Sequence, residues 1–417
     1  MDEIADNSLT VNGERLWATL DRSSEIGAAP NGGLNRLALT DEDKEMRDQF
    51  RAWAETDGYS VTVDRLGNMF VRRGGMEPGL APVIIGSHLD SQVNGGRFDG
   101  ILGVLAGLEV LRSLDDAGIA TRRAIEVVNW SNEESVRFHR ATLFGSMAFA
   151  GQAVVEDVLA STDDDGLTVG AELARIGYAG PSPVGGRVID ANFELHIEQG
   201  SKLEAAGIPV GIVTGGCPTA LFQIEVAGEN AHIGPTPMAR RRNALVGASE
   251  IVVLLNEIGW RHADTESRAT ATNIDLMPNK FGIIPHLAKL TVDMRHPDPD
   301  VLEAMKAAFV SGIDAAAERS RCTIKAENHL NLGGLTFDTE LVDLLRETAA
   351  RIGAPAMDLL SMAAHDAYAI STIAPAAMIF TPCKDGVTHN EAEDIDPAST
   401  LPGVNVLLNA ALSRAQR

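Results

Sequence analysis

Ile85-Gly-Ser-His-Leu-Asp-Ser-Gln-Val-Asn-Gly-Gly-Arg-Phe-Asp-Gly100 is the stretch that decides the fold. The apolar run Val83 to Ile85 reads as a buried strand, the glycine-rich segment as the loop after it, and Ile101 to Leu114 as a helix packed on the sheet. His88 and Asp99 therefore sit together at a strand's carboxyl edge, where open α/β sheets leave a crevice for ligands. Gly95, Gly96 and Gly100 let the loop turn tightly enough to bring a carboxylate back beside the imidazole. That spacing suits a metal ion.

Working outward, residues 12–26 have helical apolar spacing, and Thr40 before Asp41, Glu42 and Asp43 starts a helix that runs through Thr56. Val61 to Val71 reads as a hairpin turning at Leu66-Gly67-Asn68. Ile125 to Trp130 is the next strand and delivers Ser131-Asn-Glu-Glu134 at its end. Gln152 to Gly180 is helical and acidic, with Asp163, Asp164 and Asp165 read as a solvated loop. Asn192 to Gln199 alternates, with Phe193, Leu195 and Ile197 on one face and Glu194, His196 and Glu198 on the other. For Glu194 and Glu198 a structural role is favoured.

Near Val213 to Gly216 the pattern changes. Strands at Ala220–Val226, Ala269–Leu276 and Ile283–Met294 alternate with helices at Asn243–Ile258 and Pro299–Arg319, which reads as an antiparallel α+β unit inserted in the larger domain. The first pattern then resumes with a helix at Thr339–Ile352, a core strand at Ala376–Phe380, a loop to His389 and a helix at Pro402–Ser413. The expected division is residues 1–215 and 329–417 for the catalytic domain and 216–328 for the insert.

At 417 residues the chain exceeds one ordinary core, and 45% hydrophobic with 22% charged residues marks it as globular. A formal charge of −23 argues against nucleic acid or an anionic membrane as partner. Cys217, Cys322 and Cys383 are odd in number and widely spaced, which points to a reducing compartment. The amino terminus is acidic with no apolar core of a signal peptide, so a cytoplasmic location is expected.

Four groups of ligating residues follow strand patterns: His88 with Asp99, Glu133 with Glu134, His196, and His389. Two divalent ions need such an inventory, with one carboxylate shared, an imidazole on each ion, and one further carboxylate left off the metals to move a proton. Further imidazole or carboxylate ligands complete the ions, and the adjacent Glu133 and Glu134 can divide the roles of ligating carboxylate and off-metal proton carrier.

With these residues in place the chain resembles the amidase/hydantoinase/carbamoylase branch of the dinuclear-zinc M20 peptidases, which includes N-carbamoyl-L-amino acid hydrolases, β-ureidopropionases and allantoate amidohydrolases. The resemblance is carried by Gly86-Ser-His-Leu-Asp-Ser91, Gly95-Gly-Arg-Phe-Asp-Gly100, Asn132-Glu-Glu134, Leu195-His-Ile-Glu-Gln-Gly200, Ala231-His232, Val292-Asp-Met-Arg-His296 and His389-Asn-Glu-Ala-Glu393. It implies a metallopeptidase-like α/β catalytic domain with a central mixed sheet flanked by helices, plus an inserted lid and dimerisation domain with an antiparallel sheet and two helices. It also implies two divalent ions per subunit, zinc or manganese, with cobalt or nickel accepted by the same donors. His88, Asp99 and His196 would hold one ion, and Asp99, Glu134 and His389 the other, with Glu133 as general base. His232 would reach the site of a partner subunit in a homodimer, and Gln199 and Arg295 would contact the substrate. His365 and Asp366 match a motif near the site without a defined role. The run Arg240-Arg241-Arg242 reads as an exposed helix start.

Several positions depart from the family pattern. Gly282 replaces an asparagine that would bond the substrate, His286 a glycine, and Met362-Ala-Ala364 a Gly-Ala-Gly. Ser135 stands where a glycine is usual, Asn243 where an aspartate is, and Ile233 where a small residue follows His232. The expected activity is hydrolysis of the C–N bond of an N-carbamoyl amino acid. An N-acyl amino acid amidohydrolase is the second reading, and a metal-bearing protein without turnover the third.

Overall fold

The computed structural model describes residues 8–139, 141–332 and 334–417. Val83, Ile84 and Ile85 are wholly buried, as an apolar run between two layers of helix should be. The chain forms two compact units, one made of residues up to Thr214 and from Phe337 onward, the other of Gly215–Thr336.

In the larger unit, helices α1 (Gly13–Glu25) and α2 (Asp41–Thr56) are capped by the Asn12 and Thr40 side chains, which accept from the Arg15 and Asp43 amides. The hairpin of β1 (Ser60–Val63) and β2 (Met69–Arg73) leads to β3 (Val83–His88), α3 (Ile101–Asp116) and β4 (Ile125–Trp130). The short helices α4 (Phe144–Phe149), α5 (Val155–Ala160) and α6 (Val169–Ile176) precede β5 (Ala191–Ile197), α7 (Lys202–Ala206) and β6 (Val210–Gly216). The smaller unit carries β7 (Thr219–Ala227), β8 (Ala231–His232), α8 (Ala244–Arg261), β9 (Arg268–Met277), β10 (Ile283–Ile284), β11 (Leu287–Arg295), α9 (Pro299–Ser320) and β12 (Thr323–Leu332). The chain returns through β13 (Leu335–Thr336), α10 (Thr339–Arg351), β14 (Ala356–Ser361), α11 (Asp366–Ile370), β15 (Ala376–Thr381) and α12 (Pro397–Ala415).

The large mixed sheet has the order β1-β2-β4-β3-β5-β15-β6-β13, with β14 also on β6. Its middle is parallel: β3 pairs with β4 and β5, and β5 with β15, in the same direction. Four strands thus end on one edge; His88 closes β3 and His196 is the penultimate residue of β5, while the loops beyond β4 and β15 carry Glu133, Glu134 and His389. In the smaller unit an antiparallel sheet of order β12-β7-β11-β9 buries Phe222, Ile224, Val292 and Met294 against Ile251 and Leu255 of α8 and Met305 and Phe309 of α9.

The structure corrects four expectations. The smaller unit extends to Thr336, beyond residue 328, because β12 stays paired with β7 as far as Leu332 opposite Thr219. The strand expected over Ile283–Met294 is broken at Pro285–His286: Ile283 and Ile284 leave the four-stranded sheet to pair with His232 and Ala231. The final helix begins at Pro397, capped by Asp396, and takes Pro402 into its interior. Asp163 is buried and not solvated; it accepts from the Asp165 and Leu167 amides at 3.1 and 2.8 Å and pairs with Arg137 at 3.0 Å. Only Asp164 and Asp165 of that run are exposed. No helix among the described residues is long and apolar enough to cross a membrane.

Candidate metal centre and active site

The strand edge brings together two groups of side chains that can each hold a metal ion: His88, Asp99 and His196, all buried, and Asp99, Glu134 and His389, the last exposed. Asp99 belongs to both, and its two oxygens face opposite ways. Oδ1 lies 3.0 Å from His196 Nε2 and 3.8 Å from His88 Nε2, whereas Oδ2 lies 3.4 Å from His389 Nε2.

The two buried imidazoles are held in one tautomer. His88 Nδ1 is 3.0 Å from the Asp90 carbonyl oxygen and His196 Nδ1 is 2.9 Å from that of Ile197. A carbonyl oxygen only accepts, so each Nδ1 carries the hydrogen and each Nε2 faces the centre. Gly100 is required beneath His88, since a Cβ there would stand 2.1 Å from Nε2. Burial pulls His88 down to about 4, leaving it neutral. Burial also works to lower His196, but the charge and hydrogen bond of Asp99 outweigh it and hold His196 up at about 9. Burial would raise Asp99, and His196 overrides it to keep that carboxylate well below its usual range.

Glu133 and Glu134 follow β4 on a turn in which Asn132 and Ser135 both have a φ of 56°. Their amides point at Asp90, 3.3 Å from Oδ1 and Oδ2 respectively. Ser135 suits this turn by bonding, donating to the Glu133 carbonyl at 3.0 Å and accepting from the Leu143 amide at 2.9 Å. Glu134 Oε2 lies 3.5 Å from His389 and accepts from Gln92 at 2.7 Å, while its Oε1 is buried with no hydrogen-bond partner. A buried carboxylate oxygen without a partner, on a side chain whose other oxygen faces an imidazole, is costly unless a cation fills the space, so the donor set fits divalent ions. Glu133 Oε2 is 3.5 Å from His88 Nε2 but belongs to neither triad. Burial and the charges of Asp366 and Glu134 push Glu133 well above the usual carboxylate range.

Asp90 and Glu393, both buried, lie in motifs that carry the family resemblance, which assigns them no role. Asp90 holds the glutamate turn and, through its carbonyl, His88; its position two residues after a metal-type histidine was the available signal. Gln199 donates to Asp99 Oδ2 at 2.8 Å, so its amide group supports the shared carboxylate. Glu194 is structural, accepting from Ser87 Oγ at 3.0 Å and from the Ala367 amide at 2.8 Å, and Glu198 accepts from the Lys202 and Leu203 amides at the start of α7. A third close group, Glu194, His196 and His365, reuses His196 and a carboxylate already engaged at both oxygens.

His232 and Arg295 lie in the smaller unit. His232 is exposed on β8, and its Nδ1 accepts from the Gly234 amide at 3.1 Å, which leaves the neutral ring's hydrogen on Nε2. Arg295, at the end of β11, makes a two-pronged pair with Asp293, Nε to Oδ1 at 2.8 Å and Nη2 to Oδ2 at 2.7 Å. Arg241 bonds the carbonyl oxygens of Thr236 and Ile233 and so braces its own loop, while Arg242 bonds that of Arg321 at the end of α9. Asn243 caps α8 by accepting from the Leu245 amide at 3.0 Å, work that an aspartate does equally well.

Comparison with known proteins places the chain in a family. The model of peptidase family M20/M25/M40 matches residues 84–413. An N-carbamoyl-L-amino-acid amidohydrolase of Rhizobium meliloti is 40% identical over 97% of each chain, and an allantoate amidohydrolase of Bacillus subtilis is 30% identical over 92% of this chain and 93% of its own. Among solved structures, an amidase of the hydantoinase/carbamoylase family from Burkholderia vietnamiensis superposes with a TM-score of 0.92 at 48% identity, covering 99% of this chain and 100% of that one. A match of this extent, on a chain whose candidate ligands meet at one sheet edge, leaves one assignment: the chain belongs to peptidase family M20/M25/M40 and is a hydrolase of non-peptide C–N bonds.

Proposed function

We propose that the protein hydrolyses the C–N bond between the carbamoyl carbon and the amino nitrogen of an N-carbamoyl-L-amino acid, with two divalent ions per subunit. The observation that carries this is Asp99, whose oxygens each face a separate ligand group, while Glu133 stands 3.5 Å from His88 and belongs to neither group. The name of the Rhizobium relative supports the substrate class. His88, Asp99 and His196, and Asp99, Glu134 and His389, would hold the divalent ions, which would supply Lewis acidity toward a water and a carbonyl oxygen. Glu133, raised by burial and neighbouring acids, takes the proton of the attacking water and returns it to the leaving amino nitrogen. His232 donates from Nε2 to the oxygen that becomes negative as the carbonyl carbon turns tetrahedral. Arg295 offers a guanidinium to the substrate carboxylate, oriented by Asp293. The products are the amino acid and a carbamate that decays to carbon dioxide and ammonia.

The smaller unit serves as lid and dimerisation domain in this proposal. Val246, Val253 and Trp260 recur every seven residues along α8 and are exposed, Trp260 by 74%, and β9 is an edge strand beside that helix in the same unit. Cys217, Cys322 and Cys383 are buried and outside any disulfide among the described residues, which supports a reducing, cytoplasmic setting.

The second reading, hydrolysis of N-acyl amino acids, is favoured by Gly282, where the asparagine donor of relatives is missing and a Cβ would meet nothing within 4 Å. One assay separates the two. Protein loaded with manganese or zinc is offered N-carbamoyl, N-formyl and N-acyl amino acids of both hands, and allantoate, and both amine and ammonia are measured. Equal amine and ammonia from N-carbamoyl-L-amino acids is the expected result; amine from acyl substrates without ammonia would replace it by the second reading.

A further inference from the structure

Glu393 is 1% exposed and lies four residues beyond His389. Its Oε1 accepts from the backbone amides of Phe98 and Asp99 at 2.9 and 3.1 Å. Its Oε2 lies 3.1 Å from Thr388 Oγ1, and that same hydroxyl is 2.9 Å from Asp99 Oδ2. One buried carboxylate thus joins the backbone that mounts the shared aspartate to the loop that mounts His389, although the two are 294 residues apart in sequence. The glycine loop is wrapped directly on this group: a Cβ on Gly96 would stand 1.8 Å from Glu393 Cδ.

The two ligand triads depend on this clasp unequally. His88 and His196 ride on β3 and β5, neighbouring strands of one ladder, and both are buried. Asp99 is also tied to His196 directly and to Gln199 at 2.8 Å. His389 has none of that support: its side chain is 48% exposed and its backbone sits at a φ of 52° in a loop. Besides the His389–Asp99 contact itself and a partly exposed Arg97–Asp394 ion pair at 3.5 Å, that loop is tied to the Asp99 segment by the hydrogen bonds of Thr388 and Glu393.

We propose that Glu393, acting through Thr388, is a positioning residue that sets the affinity of the outer ion, the one between Asp99, Glu134 and His389, and leaves the inner ion to the strands. The inference rests on the two-ion reading of the site and on no particular substrate. Loss of the clasp leaves two buried amides unpaired and lets His389 drift from Asp99, and supporting groups of this kind change metal affinity by about 10- to 100-fold. Glutamine keeps an acceptor for the two amides, and its NH2 donates to Thr388 Oγ1, whose proton then goes to Asp99 Oδ2. The clasp therefore survives Glu393→Gln.

The test is calorimetric titration of the metal-stripped full chain with Co2+, followed in parallel by visible absorption. The wild type should bind in two steps. Glu393→Ala and Thr388→Val should weaken the second step by about 10- to 100-fold with the first unchanged, and Glu393→Gln should restore it. Thr388→Val is nearly isosteric and carries the test should Glu393→Ala not fold. Folded variants that bind both ions as the wild type does, or that lose both alike, would overturn the role given to Glu393. A single step in the wild type would overturn the two-ion reading and this inference with it.

Discussion

His196 Nε2 lies 3.0 Å from Asp99 Oδ1, and each residue shifts the other's proton affinity away from what burial alone would impose. Without metal, His196 is held up at about 9, so it carries a proton at neutral pH. A metal ion needs the same nitrogen's lone pair. Loading the inner triad at pH 7 therefore has to expel that proton, while His88, lowered to about 4, has none to lose. Affinity for Zn2+ or Mn2+ should rise by about tenfold per pH unit up to about pH 9 and then level off. Calorimetry in buffers of different ionisation enthalpy measures the released proton directly; metal uptake without proton release would contradict the pairing.

His232 offers Nε2–H from an exposed position in the smaller unit. If it serves a partner's site, two inactive variants should complement each other. Glu133→Gln and His232→Ala are each expected to lose about 10²- to 10⁴-fold in turnover. Mixed after reversible dissociation, they should regain roughly a quarter of wild-type activity, because half the dimers are mixed and each has one intact site. No recovery in a mixture shown to exchange subunits would place His232 in its own chain's site or outside catalysis.

The three consecutive aspartates should differ in stability. Asp163→Ala removes the acceptor for two amides and a partner of Arg137, and should cost about 1–3 kcal/mol in urea unfolding. Asp164→Ala and Asp165→Ala change exposed side chains and should stay within about 0.5 kcal/mol. Equal effects at all three would contradict the buried role of Asp163.

That run also shows where sequence reading stops. Three adjacent acids have the same composition and charge, and only the turn over 163–167 and the side chain of Arg137 select one for burial. By contrast, the strand edge was legible because β3, β4, β5 and β15 each carry core apolar residues and lead to ligating residues, at the strand's own end in β3 and β5 and in the loop beyond it after β4 and β15, a coincidence of period and chemistry. The sequence pattern from Pro402 predicts a helix start there, yet Asp396 with Pro397 is the better start signal and the helix tolerates the later proline. The break at Pro285–His286 depends on pairing with His232, some fifty residues earlier, which no local pattern reveals. Glu393 was invisible as a clasp for the same reason, its partners being the amides of Phe98 and Asp99.

The most direct measurement is paired turnover and metal content of Glu133→Gln. The carboxamide keeps size and an acceptor but cannot take a proton from water. If Glu133 is the base and Asp99, Glu134 and the histidines are the ligands, turnover should fall by about 10²- to 10⁴-fold with both ions retained. Loss of an ion together with activity would make Glu133 a ligand and contradict the division of roles between the two adjacent glutamates.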